Sequence, residues 1–246
     1  LKHLLDASDR GASDLTVAGK LFCDRFPPDK IPALPTCGIF LRREFPLKNN
    51  LEFPEGIHPC EDGLFSHFVL ALTEKISFCP EAVYHYRQHE QGNHHQIRKR
   101  TADILPMIPR WLSLIEEFYE QRHLWKRKAG HLVRFIEHEP FELRLLGMPF
   151  SPPEQEILYS IIRDFLNAHC TAAECRRASL HLPFRLLLQS SGFSDFGRRL
   201  QRAGKNTGIR RKLLHFCPVP SWRRNGRARL RQIREQLEEI RRNITF

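Results

Sequence analysis

Between residues 54 and 87 the hydrophobic period of the chain changes twice, and this narrows the available folds most. Leu64, Phe65, Phe68, Val69 and Leu72 fall at i, i+1, i+4, i+5 and i+8, one face of a helix about three turns long. A Pro/Gly-rich loop precedes them, within residues 53–65 (FPEGIHPCEDGLF). Behind them, residues 76–79 (ISFC) and 83–87 (VYHYR) are β-rich runs separated by Pro80. Upstream, residues 14–18 (DLTVA) are a further short strand candidate. Strand, loop, helix and strand in this order predict an α/β unit.

The flanking segments refine this. Residues 1–12 read as a helix stopped by Gly11. Four prolines in residues 26–35 (FPPDKIPALP) exclude regular structure there. Residues 37–45 (CGIFLRREF) are compatible with a strand that turns helical, and periodicity over so few positions does not decide. After residue 100 no strand candidate of similar quality occurs. Residues 111–119 and 131–137 are helical by pattern. Ser151 with Glu154 predicts a capping box, with Pro152 and Pro153 in the first turn. Ile157, Leu158, Ile161, Ile162, Phe165 and Leu166 follow as an apolar stripe. The expectation is an α/β part over residues 1–100 and a mainly α-helical part over 101–246.

A hydrophobic content of 41% against 27% charged residues is that of a globular chain. No apolar run is long enough to span a bilayer, so any membrane contact is expected to be peripheral. The opening at Leu1, without a charged-then-apolar leader, suggests part of something longer. Seven scattered cysteines without a CxxC pair fit a reducing compartment. Cys170 and Cys175, five apart on an expected helix, do not share a face there, and idle or buried thiols are the expectation.

Charge is unevenly shared. Residues 181–246 hold 16 Lys/Arg against 4 Asp/Glu, a net of +12 within a total of +11. Arg223, Arg224, Arg227, Arg229, Arg231 and Arg234 flank Trp222, and Leu230, Ile233, Leu237, Ile240 and Ile244 form a seam behind. Such a basic amphipathic tail, over about residues 198–246, suits an anionic membrane surface. Packing on the rest of the chain, or a short dimer seam, would use the same pattern. No nucleic-acid-binding motif accompanies it, and no nucleic acid partner is expected.

The adjacent carboxylates Glu61 and Asp62 admit two readings. They are the acidic first turn of the helix that follows, or a base held at a helix N-terminus where a substrate reaches it. Arg87, ending an apolar-aromatic run, suits a phosphate or a surface ion pair. Tyr84 and Tyr86 alternate with His85, as core residues or as a stacking surface. His85, His89, His94 and His95 cluster in a polar loop without fixed zinc spacing.

In order, the phrases CGIFLRREF, NNLEFPEGIHPCEDGLF and ISFCPEAVYHYRQHEQG resemble the second half of the catalytic domain of family 2 glycosyltransferases. These are inverting enzymes of GT-A fold. Phe53, Glu55, Gly56, Glu61, Asp62, Tyr84, Tyr86 and Arg87 stand in register with the family pattern over roughly residues 1–97. The resemblance implies an incomplete GT-A, Rossmann-like half-domain followed by a helical extension. It implies Asp62 as catalytic base with Glu61 in support, and Arg87, Tyr84, Tyr86 and His89 on the substrate side. A nucleotide-sugar donor, a cell-envelope glycan or lipid-linked acceptor, and a Mg²⁺ or Mn²⁺ ion would be the partners. The place implied is the cytoplasm, at the inner face of the membrane. Two departures stand out. Cys37 and Ile39 replace the usual Trp and Lys, and no Asp-x-Asp metal motif is present, since Asp6 and Asp9 have the wrong spacing. The competing expectation is a non-enzymatic helical interaction protein with a basic tail and a remnant α/β portion.

Overall fold

Leu15, Thr16, Val17 and Ala18 form β1 (Leu15–Ala18), buried along its whole length. Burial on both faces explains why this strand lacks a polar alternation. Its one hydroxyl is satisfied by Ser13, whose Oγ lies 3.2 Å from Thr16 Oγ1. In this computed structural model, residues 1–25, 30–85, 97, 100–179, 181–213, 228, 230, 231 and 233–235 are described. β1 is the central strand of a three-stranded mixed sheet, flanked by β2 (Ile39–Leu41) and β3 (Ile76–Cys79). β2 runs antiparallel to it, with Val17 opposite Ile39, and β3 runs parallel, with Ala18 opposite Cys79.

Helix α1 (Lys2–Arg10) precedes β1 and ends at Gly11, whose amide bonds back to Ala7 O at 3.1 Å. Helix α2 (Lys20–Arg25) follows β1, and both helices pack on β1 and β3. A 3₁₀ turn, Thr36–Gly38, leads into β2, and α3 (Glu44–Lys48) leaves it. Residues 37–45 thus do run from strand to helix.

Helix α4 (Glu61–Leu72) fills the connection between β2 and β3. The sequence pattern marks one apolar face, but Gly63 through Ala71 are all buried, which makes α4 a central helix. Its two buried polar side chains, Ser66 and His67, were the reason it reads as one-sided. Both are bonded. Leu34 N donates to Ser66 Oγ at 2.8 Å, and His67 Nδ1 lies 3.1 Å from Pro32 O.

Residues 83–85 carry no strand, contrary to the sequence pattern of 83–87. Val83 is 74% exposed and Tyr84 62%, so neither has the packed, half-buried surface on which strand preference depends. Residues 86 and 87 lie outside the described set.

From residue 101 the described chain is helical: α5 (Thr101–Ile104), α6 (Met107–Gln121), α7 (Trp125–Ile136), α8 (Pro152–His169), α9 (Ala172–Ala178), α10 (Leu182–Gln189) and α11 (Phe193–Leu213). Between α7 and α8, Glu137–Leu146 is wound as a π-helix around Pro140. The chain forms two compact units, Leu1–Glu139 and a second beginning at Pro140. The texture change at residue 100 marks the end of the strand-bearing stretch, while the first unit continues to Glu139. In it, α4 packs on α6 and α7, burying Leu64, Val69, Ile108, Trp111, Ile115, Leu132 and Phe135.

The second unit is built around aromatic contacts. Phe141 lies 5.1 Å from Phe184 and Tyr159 5.9 Å from Phe196, centroid to centroid. Arg163 Nη1 donates to the carbonyls of Leu187 and Leu188, both at 2.8 Å, which satisfies the open end of α10. The capping box expected at Ser151 and Glu154 is present.

Candidate functional site

The parallel strands β1 and β3 end together at Ala18 and Cys79. Gly19 N closes this end by donating to Cys79 O at 3.0 Å. β2 is antiparallel, so it begins at the same edge, and the turn Thr36–Gly38 lies there. Phe22 of α2 rests on this turn. A Cβ at Gly38 would come within 3.0 Å of its ring, so glycine permits the close approach. The carboxyl edge of parallel strands is where open α/β sheets take their ligands.

Asp62 reaches this edge from α4. Its Oδ1 accepts from Gly63 N at 2.8 Å, and its carboxylate also accepts from the backbone N–H of Thr36. The bond to Gly63 is the one that an acidic first-turn residue makes in an ordinary helix. The rest of the environment opposes the charge. Burial pushes the Asp62 carboxyl above the ordinary carboxylate range, and the negative charges of Glu139 and Glu61 add to it. The two backbone N–H bonds pull the other way without cancelling the rise. The Asp62 charge in turn helps raise the Cys37 thiol, whose largest perturbation is its own burial.

The position is firmly held. Phe53 stacks on Phe65 with ring centroids 4.1 Å apart, and Ile57 is buried, so the loop before α4 is pinned at two points. At Gly56, with φ +67, the Arg110 guanidinium lies 3.4 Å from where a Cβ would be. Cys60 precedes α4 at φ 90, a left-handed conformation that a non-glycine residue seldom adopts. Gly63 fits between Cys60 Sγ and Glu139 Oε1, each 3.1 Å from the position a Cβ would take.

Glu61 is paired with His58, its Oε1 3.3 Å from Nδ1. Its influence on Asp62 is therefore through charge. Tyr84 is exposed and follows the end of β3, at the same edge, without belonging to a strand. Arg87, Tyr86 and His89 lie outside the described residues, as do His94 and His95. Among the described residues no group of three or more His, Cys, Asp or Glu side chains is placed to hold a metal ion.

Two features escaped sequence reasoning. Glu139 stands 77 positions from Asp62 and carries no local signal that joins them. Behind the site, His67, His131 and Tyr119 form a buried network. Tyr119 Oη lies 3.1 Å from His67 Nε2, His131 Nε2 3.1 Å from His67 O, and the two imidazoles stack at 4.2 Å. Pro32 O can only accept, so His67 Nδ1–H donates to it, and Nε2 is left to accept from the tyrosine. Burial holds both imidazoles neutral: His131 falls to about 3, and His67 also lies well below its ordinary value. A histidine inside an apolar helical run, as in FSHFV, was the only hint of this.

No protein-family model, curated protein or solved structure matches this chain.

Proposed function

We propose that the first unit is the acceptor-side part of an inverting, family 2-like glycosyltransferase, with Asp62 as general base. The observation that carries this reading is the Asp62 carboxylate itself: half-buried, raised in proton affinity, and fixed at the carboxyl edge of β1 and β3. A base that retains its proton above the ordinary carboxylate range transfers it more readily near neutral pH. Oδ1 accepts from Gly63 N, and the carboxylate would accept the proton of an attacking hydroxyl. That hydroxyl would attack the anomeric carbon of a nucleotide sugar as the nucleoside diphosphate departs from the opposite face. Glu139 and Glu61 raise the basicity, and Tyr84 supplies an exposed aromatic surface nearby. Arg87, Tyr86 and His89 remain proposed substrate contacts on resemblance alone.

The described residues do not form a metal site, and the Asp-x-Asp ligands that the resemblance implies have no counterpart here. The test uses the product of the full reading frame that carries this sequence, incubated with nucleotide sugars and hydroxyl acceptors. Release of nucleoside diphosphate that depends on acceptor, with inversion at the anomeric carbon, is expected. Absence of acceptor-dependent release across nucleotide-sugar classes would overturn the reading.

A specific observation favours a second reading, compatible with the first. Helix α11 is anchored by buried Phe193, Phe196 and Leu200, while Arg198, Arg202 and Lys205 are exposed at i, i+4 and i+7. Asp195, the acidic residue of its first turn, is bonded to Arg199 at 2.7 Å and to Arg198 at 3.4 Å. Such a basic stripe suits docking on an anionic membrane surface at the cytoplasmic face. Among the described residues no helix is long and apolar enough to cross a membrane. Of the expected tail beyond α11, only a few helical positions, including Arg231 and Arg234, are described, and Trp222 lies outside them.

A further inference from the structure

Two thiols that the sequence separates are brought together by a helix break in the second unit. Read as one continuous helix, Cys170 and Cys175 point in different directions. The chain instead leaves α8 at His169, and Cys170 is extended, with φ −132 and ψ 138. Thr171 is extended too, and α9 begins at Ala172 with Thr171 as its N-cap.

That cap is a complete capping box. Glu174 N donates to Thr171 Oγ1 at 3.3 Å, and Thr171 N donates to Glu174 Oε2 at 2.8 Å. In this arrangement the residue before the cap packs against the fourth residue of the helix, a pairing usually made by two apolar side chains. Here those two positions are Cys170 and Cys175. The Cys170 thiol donates a hydrogen bond to the Cys175 sulfur. Cys175 is buried, whereas Cys170 is partly open to solvent.

We propose that Cys170 and Cys175 are a redox-modification site, a dithiol that closes reversibly into an intrachain disulfide by exchange with a small-molecule disulfide. The electrostatics make the two thiols unequal. The hydrogen bond from Cys170 holds the Cys175 thiol below its ordinary value, with a further contribution from Arg163, and the same bond pushes Cys170 up. Reaction starts at Cys170, the sulfur that a solute reaches. Cys175, the more acidic thiol, first gives its proton to water; the Cys170 proton then passes to the Cys175 thiolate, and the Cys170 thiolate attacks one sulfur of the small disulfide. That S–S bond breaks and one small thiolate leaves, taking up a proton. Cys175 then attacks the Cys170 sulfur of the mixed disulfide, loses its own proton, and expels the second small thiol. Two S–H bonds and one S–S bond are consumed, and one S–S bond and two S–H bonds form. Two electrons pass from the protein to the small disulfide.

The consequence is local. The new bond ties the first residue of the α8–α9 link to the first turn of α9, replacing a contact that an apolar pair would make.

Tryptic cleavage at Arg163 and Arg176 releases one peptide, residues 164–176, that contains Cys170 and Cys175 and no other cysteine. The full chain is incubated with glutathione disulfide, free thiols are blocked with N-ethylmaleimide, and this peptide is weighed. The expected product is two hydrogens lighter than the reduced peptide, free of maleimide, and restored by dithiothreitol. It should exceed the doubly glutathionylated peptide by about tenfold or more, because the second step is intramolecular. In Cys175→Ala the glutathione should stay on Cys170 as a stable mixed disulfide. The proposal is overturned if the wild-type peptide keeps glutathione on Cys170, or if both sulfurs take maleimide after oxidation.

Discussion

At Asp62 a carboxylate is withdrawn from water and set beside Glu61 and Glu139, an arrangement that works against folding. Its raised proton affinity means that the folded state binds this proton more tightly than the unfolded chain does. The stability it contributes is therefore greatest below the ordinary carboxylate range and declines as the pH rises through its raised pKa. Asp62→Asn keeps the size and an oxygen for Gly63 N while removing the charge. It should raise the melting temperature at neutral pH by a few degrees, about 2–4 °C for ~1 kcal/mol in a chain of this size. A lower melting temperature would show that the backbone bonds to Asp62 outweigh its repulsion. Gly63→Ala has the opposite expectation. The added methyl meets Cys60 Sγ and the buried Glu139 carboxylate at 3.1 Å, and overpacking of this kind costs about 1–3 kcal/mol. Urea denaturation at constant m-value measures it.

The helices test how much local chemistry alone decides. Ser151→Ala removes one half of the capping box on α8 and should destabilise the second unit by about 1 kcal/mol, read as a lower denaturation midpoint. That box was legible in the sequence because Ser-Pro-Pro-Glu is a purely local signal. β1 and β3 were legible for a related reason, since short β-branched runs between turn residues have few other uses. The register of β1 between an antiparallel and a parallel neighbour was not, because pairing is settled by partners distant in the chain. The run VYHYR misled because exposure, not propensity, governs residues 83–85. The same distinction explains the candidate site. The local pattern left Asp62 between a helix start and a base, and the resemblance singled it out, whereas Glu139 and the turn Thr36–Gly38 meet it only in the folded chain. Cys175 is buried as expected, but its pairing with Cys170 was not legible because the break at Cys170 replaces one expected helix by two. His67, His131 and Tyr119 sit inside apolar helical runs where each reads as an isolated polar residue.

Across the whole molecule the buried imidazoles set the response to acid. His131 has an ordinary value of 6.5 and falls to about 3 on folding, chiefly by burial, with Arg134 and Lys128 adding repulsion. His67 moves in the same direction. For a group whose pKa falls on folding, the unfolded chain binds more protons, so its stability contribution is complete above pH 6.5 and is lost as the pH drops toward 3. At pH 5 the loss from His131 alone is about 2 kcal/mol. Thermal unfolding of the first unit should therefore move to lower temperature between pH 7 and pH 5, and Tyr119→Phe should lower stability further by leaving His67 Nε2 without its donor. A melting temperature unchanged over that range would contradict the account of the network.

Charge organises the molecule at the same scale. The exposed stripe of α11 predicts binding to vesicles rich in anionic lipid, weakened by salt. Arg198→Glu with Arg202→Glu and Lys205→Glu should reduce it by about a hundredfold or more. Equal binding to neutral vesicles, or a preference for duplex nucleic acid over vesicles, would contradict that partner.

The most direct test of the central claim is the rate of sugar transfer by Asp62→Asn in the full-frame protein at saturating donor. Loss of a positioned base should lower turnover by at least about a hundredfold, with the affinity for the nucleotide sugar nearly unchanged. A rate within about twofold of wild type, in a variant that folds at least as stably, would show that the hydroxyl proton goes elsewhere.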